Sequence, residues 1–305
     1  MTDTTRFDKA TTLAFIGAGY VGGSLAIALA NAGYPVVAVA SRTFASAQTV
    51  ADRIAGCTAV ESIADAANRA QFVFITTPDD AIGPTSESIS WTQGQGVAHC
   101  SGAASLDIFD PATRKGASAG AFHPLQSFNS IDNGVQSVPG TTFGIEGDAA
   151  MQGYLSEMAL AIGGNPILLK PEDKVLYHTS GVLMGNLLAV LGSVASRIWE
   201  RFDHPTDEGA KALAPMMKAV ATNLETSGVP GVIAGPYPRG DIGTIRKHLD
   251  ALSADVPEYL PLYCELALAG LPFAVEKGSL DPERAREIEA LVNRFKTRQA
   301  SKQTA

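Results

Sequence analysis

Residues 13–24 read Leu-Ala-Phe-Ile-Gly-Ala-Gly-Tyr-Val-Gly-Gly-Ser. An apolar run at 13–16 reads as a strand. It enters a Gly-x-Gly-x-x-Gly made of Gly17, Gly19 and Gly22, and an alanine-rich, helix-like stretch follows at 25–32. Each glycine has its own task in a dinucleotide site. The first allows the tight turn, the second lets backbone approach a pyrophosphate, and the third lets helix and strand pack closely. Phosphate oxygens would meet the N–H groups at the helix N-terminus. Gly17, Gly19, Tyr20, Val21 and Gly22 are therefore candidate cofactor-binding residues.

Outward from this turn, strand and helix patterns alternate. Strands are expected at 36–40, 72–76, 96–100, 142–145 and 166–169, with helices at 45–55 and 149–162. The continuous apolar runs suit a parallel sheet buried on both faces, and the alternation implies a doubly wound α/β fold. After Pro171 strand signals vanish. Helical spacing dominates 173–202, 209–227, 241–254, 257–277 and 282–296. The expected architecture is α/β: a doubly wound parallel sheet over residues 1–170, then an all-α domain over 171–305. Residues 179–195 are apolar but contain Asn186 and several Gly, Ser and Thr residues. They read as a buried core helix that falls short of a membrane span.

Composition narrows the function. The 305 residues are 46% hydrophobic and 18% charged, with a net charge of −8. An acidic chain without a basic cluster is a poor partner for nucleic acid, whose affinity rests on Lys and Arg. Cys57, Cys100 and Cys264 are scattered, with neither metal nor disulfide spacing. They read as core thiols of a reducing compartment. The polar start does not read as a signal peptide, so a cytoplasmic protein is expected. No metal spacing and no Gly-x-Ser-x-Gly elbow occurs, which argues against metal chemistry and hydrolysis.

The end of the second strand selects between cofactors. An NAD site places Asp or Glu there for the ribose 2′-hydroxyl. Here the strand ends in Ser41-Arg42-Thr43. Arg42 can pair with a 2′-phosphate and Ser41 can donate to it, so NADP is expected. Thr76, Thr77 and Pro78, at the carboxyl end of the 72–76 strand, complete the expected cofactor site. Asp79 or Asp80 reads as the cap of the next helix.

Three segments look chemical: His99-Cys100-Ser101-Gly102-Ala103, Phe122-His123-Pro124-Leu125-Gln126-Ser127-Phe128, and Gly235-Pro236-Tyr237-Pro238-Arg239-Gly240-Asp241. Ser101-Gly102 is a small turn able to bond a substrate oxygen. His123 precedes a proline, which favours extended backbone in a loop, and Gln126 stands beside it. Arg239 could clamp a carboxylate; Asp241 could pair with it or cap the following helix. On the helix from 173, His178, Val182 and Asn186 are four apart and drift slowly around one face. Gly181 and Gly185 leave room on that side for a ligand or for another helix. His99, Cys100, Trp91 and Trp199 read as packing residues, His204 and His248 as surface or capping residues.

Together, 99–103, 123–126, His178 with Asn186, and 235–241 resemble a family of Rossmann-like proteins whose C-terminal part is a domain of unknown function of the DUF2520 type. This family is similar to the 6-phosphogluconate dehydrogenase-like superfamily and, more distantly, to ketopantoate and pyrroline-carboxylate reductases. The resemblance implies an NADPH-dependent reductase of a small oxo or imino compound, with His178, His123, Asn186 and Ser101 catalytic. It implies Gly102, Gln126, Arg239 and Asp241 at the substrate, and a homodimer packed through the helical domain, with Arg239 acting in cis or in trans. Relatives carry a lysine four residues before the helix asparagine; here that position is Val182, so the proton donor falls to His178 or His123. Two rivals remain open: a non-catalytic NADP sensor or partner-binding protein, and hydride transfer between NADP and another redox cofactor.

Overall fold

The computed structural model describes residues 7–303. It divides into two compact units, the first ending at Asn186 and the second beginning at Leu187.

The first unit alternates β1 (Leu13–Ile16), α1 (Tyr20–Asn31), β2 (Val36–Ala40), α2 (Phe44–Ala51), β3 (Thr58–Val60), α3 (Ile63–Asn68), β4 (Phe72–Ile75), α4 (Asp79–Glu87) and β5 (Gly96–His99). It continues through α5 (Asp110–Thr113), β6 (Ser118–Pro124), α6 (Ile131–Ser137), β7 (Thr142–Gly147), α7 (Ala149–Ala161), β8 (Asn165–Leu168) and α8 (Lys174–Val182). The strands form one eight-stranded sheet in the order β3-β2-β1-β4-β5-β6-β7-β8. All pairings are parallel except β6 with β7. The expected doubly wound sheet is thus present, with one antiparallel junction.

Strand side chains alternate between two cores, as a period of two requires. Leu13, Phe15, Phe72, Phe74 and Phe122 enter one core with α1 and α7 residues. Ala14, Ile16, Val73, Ile75 and Val97 enter the other. Phe15 stacks on Phe74 at 4.8 Å and Phe122 on Phe143 at 4.5 Å.

β6 was not expected as a strand. Its opening Ser-Ala-Gly-Ala carries little β-propensity. Pairing with β5 and β7 imposes the strand instead, and a Cβ on Gly120 would lie 2.7 Å from Met151 Cγ, so glycine lets α7 close on the sheet here. His123 accordingly sits in a strand rather than a loop.

The second unit holds α9 (Leu188–Arg197), α10 (Thr206–Gly231), α11 (Ile242–Asp255), α12 (Leu260–Glu276) and α13 (Pro282–Gln303). Ile245, Leu249, Cys264, Leu271, Ile288, Leu291 and Val292 form its core. α10 breaks its helical geometry at Gly228 and Val229.

The apolar helical run corrects one expectation. It extends over Pro171–Phe202, 32 residues with a hydropathy of 1.5, which by length and composition is enough to cross a membrane. It is not a core helix, for only 6% of its most apolar window is buried. Leu176, Leu183, Met184, Leu187 and Val190 are exposed, as are Met216 and Val220 of α10. A turn of π-helix at Leu183–Leu187 interrupts the run.

Candidate active site

The three turn glycines divide their tasks as expected. Gly17 has φ 114°, and a Cβ there would lie 2.7 Å from the Thr76 carbonyl. A Cβ on Gly22 would collide with the Gly17 carbonyl oxygen and Thr76 Oγ1, so the third glycine admits α1 against the turn. A Cβ on Gly19 would meet nothing within 4 Å. That glycine leaves its backbone open to a ligand. Gly19 is the N-cap of α1, and the first turn carries no acidic residue, so the helix N-terminus is free to meet an anion. Tyr20 is exposed and Val21 half-buried beside it. A cleft of about 410 Å³ opens here, lined by Ala18, Gly19, Tyr20, Ser46, Thr49 and Ile131.

Ser41 and Arg42 follow β2 on the same edge. Arg42 is exposed and forms no ion pair within the described residues. A guanidinium left unpaired at this position fits a phosphate. Thr76 donates from Oγ1 to the Gly17 carbonyl at 2.7 Å, so it shapes the turn. Thr77 Oγ1 is buried without a partner, and Pro78 is the N-cap residue of α4. An open backbone amide, an unpaired arginine and an orphaned hydroxyl together fit a phosphorylated dinucleotide.

Further along the carboxyl edge, β5, β6, β7 and α8 build a second cluster. Sheet register aligns His99 with Ala121, and Ala121 with Glu146. Strand alternation then places His99, His123, Gly144 and Glu146 on one face. α8 lies over that face through Lys174, Tyr177, His178 and Gly181, an i, i+3, i+4, i+7 stripe. The Tyr177 ring covers Gly144, where a Cβ would come within 2.9 Å of it. Leu125 fills the space at Gly181, at 2.6 Å from a Cβ built there. The room read from Gly181 is therefore occupied by a side chain of the first unit.

Gly102 is the meeting point. A Cβ there would lie 2.8 Å from His123 Nε2 and would collide with the His178 ring. The two imidazoles stand edge to face at 5.6 Å. Ser101 holds the turn beneath them: its hydroxyl donates to Asp79 at 2.8 Å and accepts from the amides of Ala103 and Ala104. Asp79 thus does not cap α4, as expected from sequence; its carboxylate turns to Ser101. The reason is the preceding Pro78, which occupies the cap position with no side-chain acceptor.

Burial decides the protonation of the cluster. His99 is fully buried, and desolvation pushes it down to about 3, helped by the Lys174 and His123 charges. His123 is pushed to about 4, by desolvation first and then by His178 and Lys174, with Asp79 opposing. Both rings are neutral at pH 7. The Tyr177 hydroxyl lies 3.2 Å from His123 Nδ1, and burial raises it to about 12. His178 is half-buried on the outer side.

The other expected residues fall elsewhere. Asn186 lies in the π-helical turn. Asn186 is exposed there, and none of the site contacts described above reaches it. Gln126 ties its loop to the chain around Thr141, 3.4 Å from Thr141 Oγ1. In the second unit, Asp241 caps α11 by accepting from the Thr244 amide at 3.0 Å. Arg239 is exposed. The cysteines are free, and burial raises all three thiols. Lys174, Glu146 and Tyr177 were missed. A lone glutamate inside the apolar 142–147 strand was the available signal.

This fold and glycine turn define an α/β protein of the dinucleotide-binding type. More particularly, residues 4–124 match the Rossmann-like domain and residues 141–269 match a domain of unknown function, DUF2520. The chain is a Rossmann-like protein with a DUF2520 domain, as its four sequence segments indicated. No protein of curated function matches it in sequence. Several solved structures share its fold. A Bacteroides fragilis protein assigned as an NADP oxidoreductase is 22% identical, with 87% of this chain and 99% of that chain covered and a TM-score of 0.68. A reductive aminase from Aspergillus terreus, solved with NADPH and ethyl-5-oxohexanoate, is 18% identical over 93% of each chain, TM-score 0.57. A pyrroline-5-carboxylate reductase from Coxiella burnetii is 15% identical over 92% of this chain and 98% of its own, TM-score 0.57.

Proposed function

We propose that the chain is an NADPH-dependent reductase of a small, carboxylate-bearing oxo or imino compound. The observation that carries this reading is the meeting of His123 and His178 on Gly102, at the carboxyl edge of the sheet whose glycine turn is open at Gly19. Likeness in fold to reductases that use NADPH supports it.

Bound NADPH would be held by the Gly19 amide, the α1 N-terminus and Arg42, and would supply the hydride. This chain's residues do the rest. Gly102 lets the two imidazoles meet at the carboxyl edge, where they would bond a substrate oxygen or nitrogen. His123, neutral at pH 7 and fixed by Tyr177, orients that atom. His178 delivers the proton as negative charge develops on it. Arg239 of the second unit, exposed and without an ion pair among the described residues, is available to an anion. Titration with NADPH and NADH, followed by a turnover screen over oxo acids and cyclic imines, tests the reading. NADPH oxidation with one or more compounds is expected. Tight NADPH binding with no oxidation across the panel would favour a nucleotide sensor instead.

We further propose that a second copy of the chain covers the exposed helix. Its inner stripe, Lys174, Tyr177, His178 and Gly181, is engaged by the first unit, whereas a membrane span is apolar all round. Only one face needs cover, which suits a two-fold homodimer. Light scattering should give twice the chain mass, and L187E with M184E should give the monomer. A wild-type monomer at micromolar concentration would contradict this.

A further inference from the structure

Among the ion pairs of the described residues, Lys174 with Glu146 alone has both partners buried, at 3% and 6% exposure. The separation is 3.2 Å, yet neither Lys174 Nζ nor Glu146 Oε2 completes an aligned hydrogen bond. Burying two ions costs several kcal/mol each, and an imperfect pair repays that poorly. The lysine is also badly placed for its own helix. It is the first residue of α8, the end where the helix dipole is positive and disfavours a cation. Packing alone would be served as well by two apolar side chains.

What the pair does have is position. Glu146 lies on the face that carries His99 and His123, and Lys174 lies one turn before Tyr177 and His178. The groups facing His123 are His99 from β5, Asp79 from α4, and Lys174, Tyr177 and His178 from α8; on β7 its partner is Gly144 and the nearest charge is Glu146.

We propose that Lys174, clamped by Glu146, is a positioning residue of the histidine site: it fixes the start of α8 so that Tyr177 and His178 meet His123 and Gly102, and it sets a buried positive charge beside His123. The downward push that Lys174 exerts on His123 agrees with this placement. The proposal rests on the reading of His123 and His178 as site residues, but its test needs no substrate.

The experiment is a pH titration of the ring nitrogens of 15N-histidine-labelled full-length protein, with His123 assigned by H123Q. Wild type is expected to keep His123 neutral down to about pH 4. K174M should raise the His123 midpoint by roughly half a unit or more, and K174R should restore it. E146Q/K174M, which leaves no unpaired charge, should show a smaller rise in the same direction in a folded protein. A folded K174M or E146Q/K174M with an unmoved His123 midpoint would overturn the proposal. So would an unfolded E146Q/K174M, since the pair would then be structural. If no compound is ever reduced, the reductase reading fails while the titration result stands by itself.

Discussion

Replacing Gly102 with alanine adds one methyl group where two imidazole rings leave no room for it. The new Cβ would collide with the His178 ring and lie 2.8 Å from His123 Nε2. Gly102 is not among the glycines with positive φ, so the substitution introduces no backbone strain and reports on the two rings alone. Overpacking of this kind costs about 1–3 kcal/mol. His178, half-buried on the first unit, can yield; His123, anchored in β6 and bonded to Tyr177, cannot follow. G102A should therefore lose about 1–3 kcal/mol in urea denaturation at pH 7. In an H178A background the larger collision is gone, and the same substitution should cost at least about 1 kcal/mol less, a coupling typical of residues in contact. NADPH affinity should stay within a few-fold of wild type, because Gly19 and Arg42 are untouched. A loss below about 0.5 kcal/mol, additive with H178A, would show that the rings do not meet at Gly102.

Acid should destabilise the fold before any carboxylate is titrated. His99 and His123 have folded values near 3 and 4, below the ordinary 6.5. The unfolded chain binds more protons between those limits, so stability is full above pH 6.5 and falls as pH drops towards 4. Each ring should remove about 2 kcal/mol by pH 5, and H123N should flatten that slope by its share; an unchanged slope would contradict burial of a neutral His123. R42A should weaken NADPH by about 10–100-fold, the loss of a charge-assisted hydrogen bond of about 1.5–3 kcal/mol, and leave NADH unchanged. Equal losses for both nucleotides in a binding titration would remove Arg42 from the 2′-phosphate.

The parts of the site legible in the sequence are those where a residue type has one physical use. Gly17, Gly19 and Gly22 each do what a dinucleotide turn requires. Ser101, Gly102, His123 and His178 were named from three distant stretches, and the sheet and α8 bring them together. Other parts depend on packing that no local pattern encodes. β6 is a strand because β5 and β7 pair with it, and Gly120 lets α7 lie close to it. The π-helical turn at 183–187 resets the helix phase, which a four-residue count cannot foresee. Lys174 and Glu146 are 28 residues apart, and their pairing depends on where the chain after β8 lays α8 against β7. The long helix was misjudged for a different reason: apolar content does not say which residues the rest of the chain covers, and here most of the run is left exposed.

The most direct test of the account is a single-turnover measurement with H178A. NADPH is bound first and its oxidation is followed after mixing with a compound that wild type reduces. The account predicts an unchanged NADPH dissociation constant and a rate lower by about 10²-fold or more, the contribution of one general acid. An H178A protein that binds NADPH and oxidises it at the wild-type rate would contradict it.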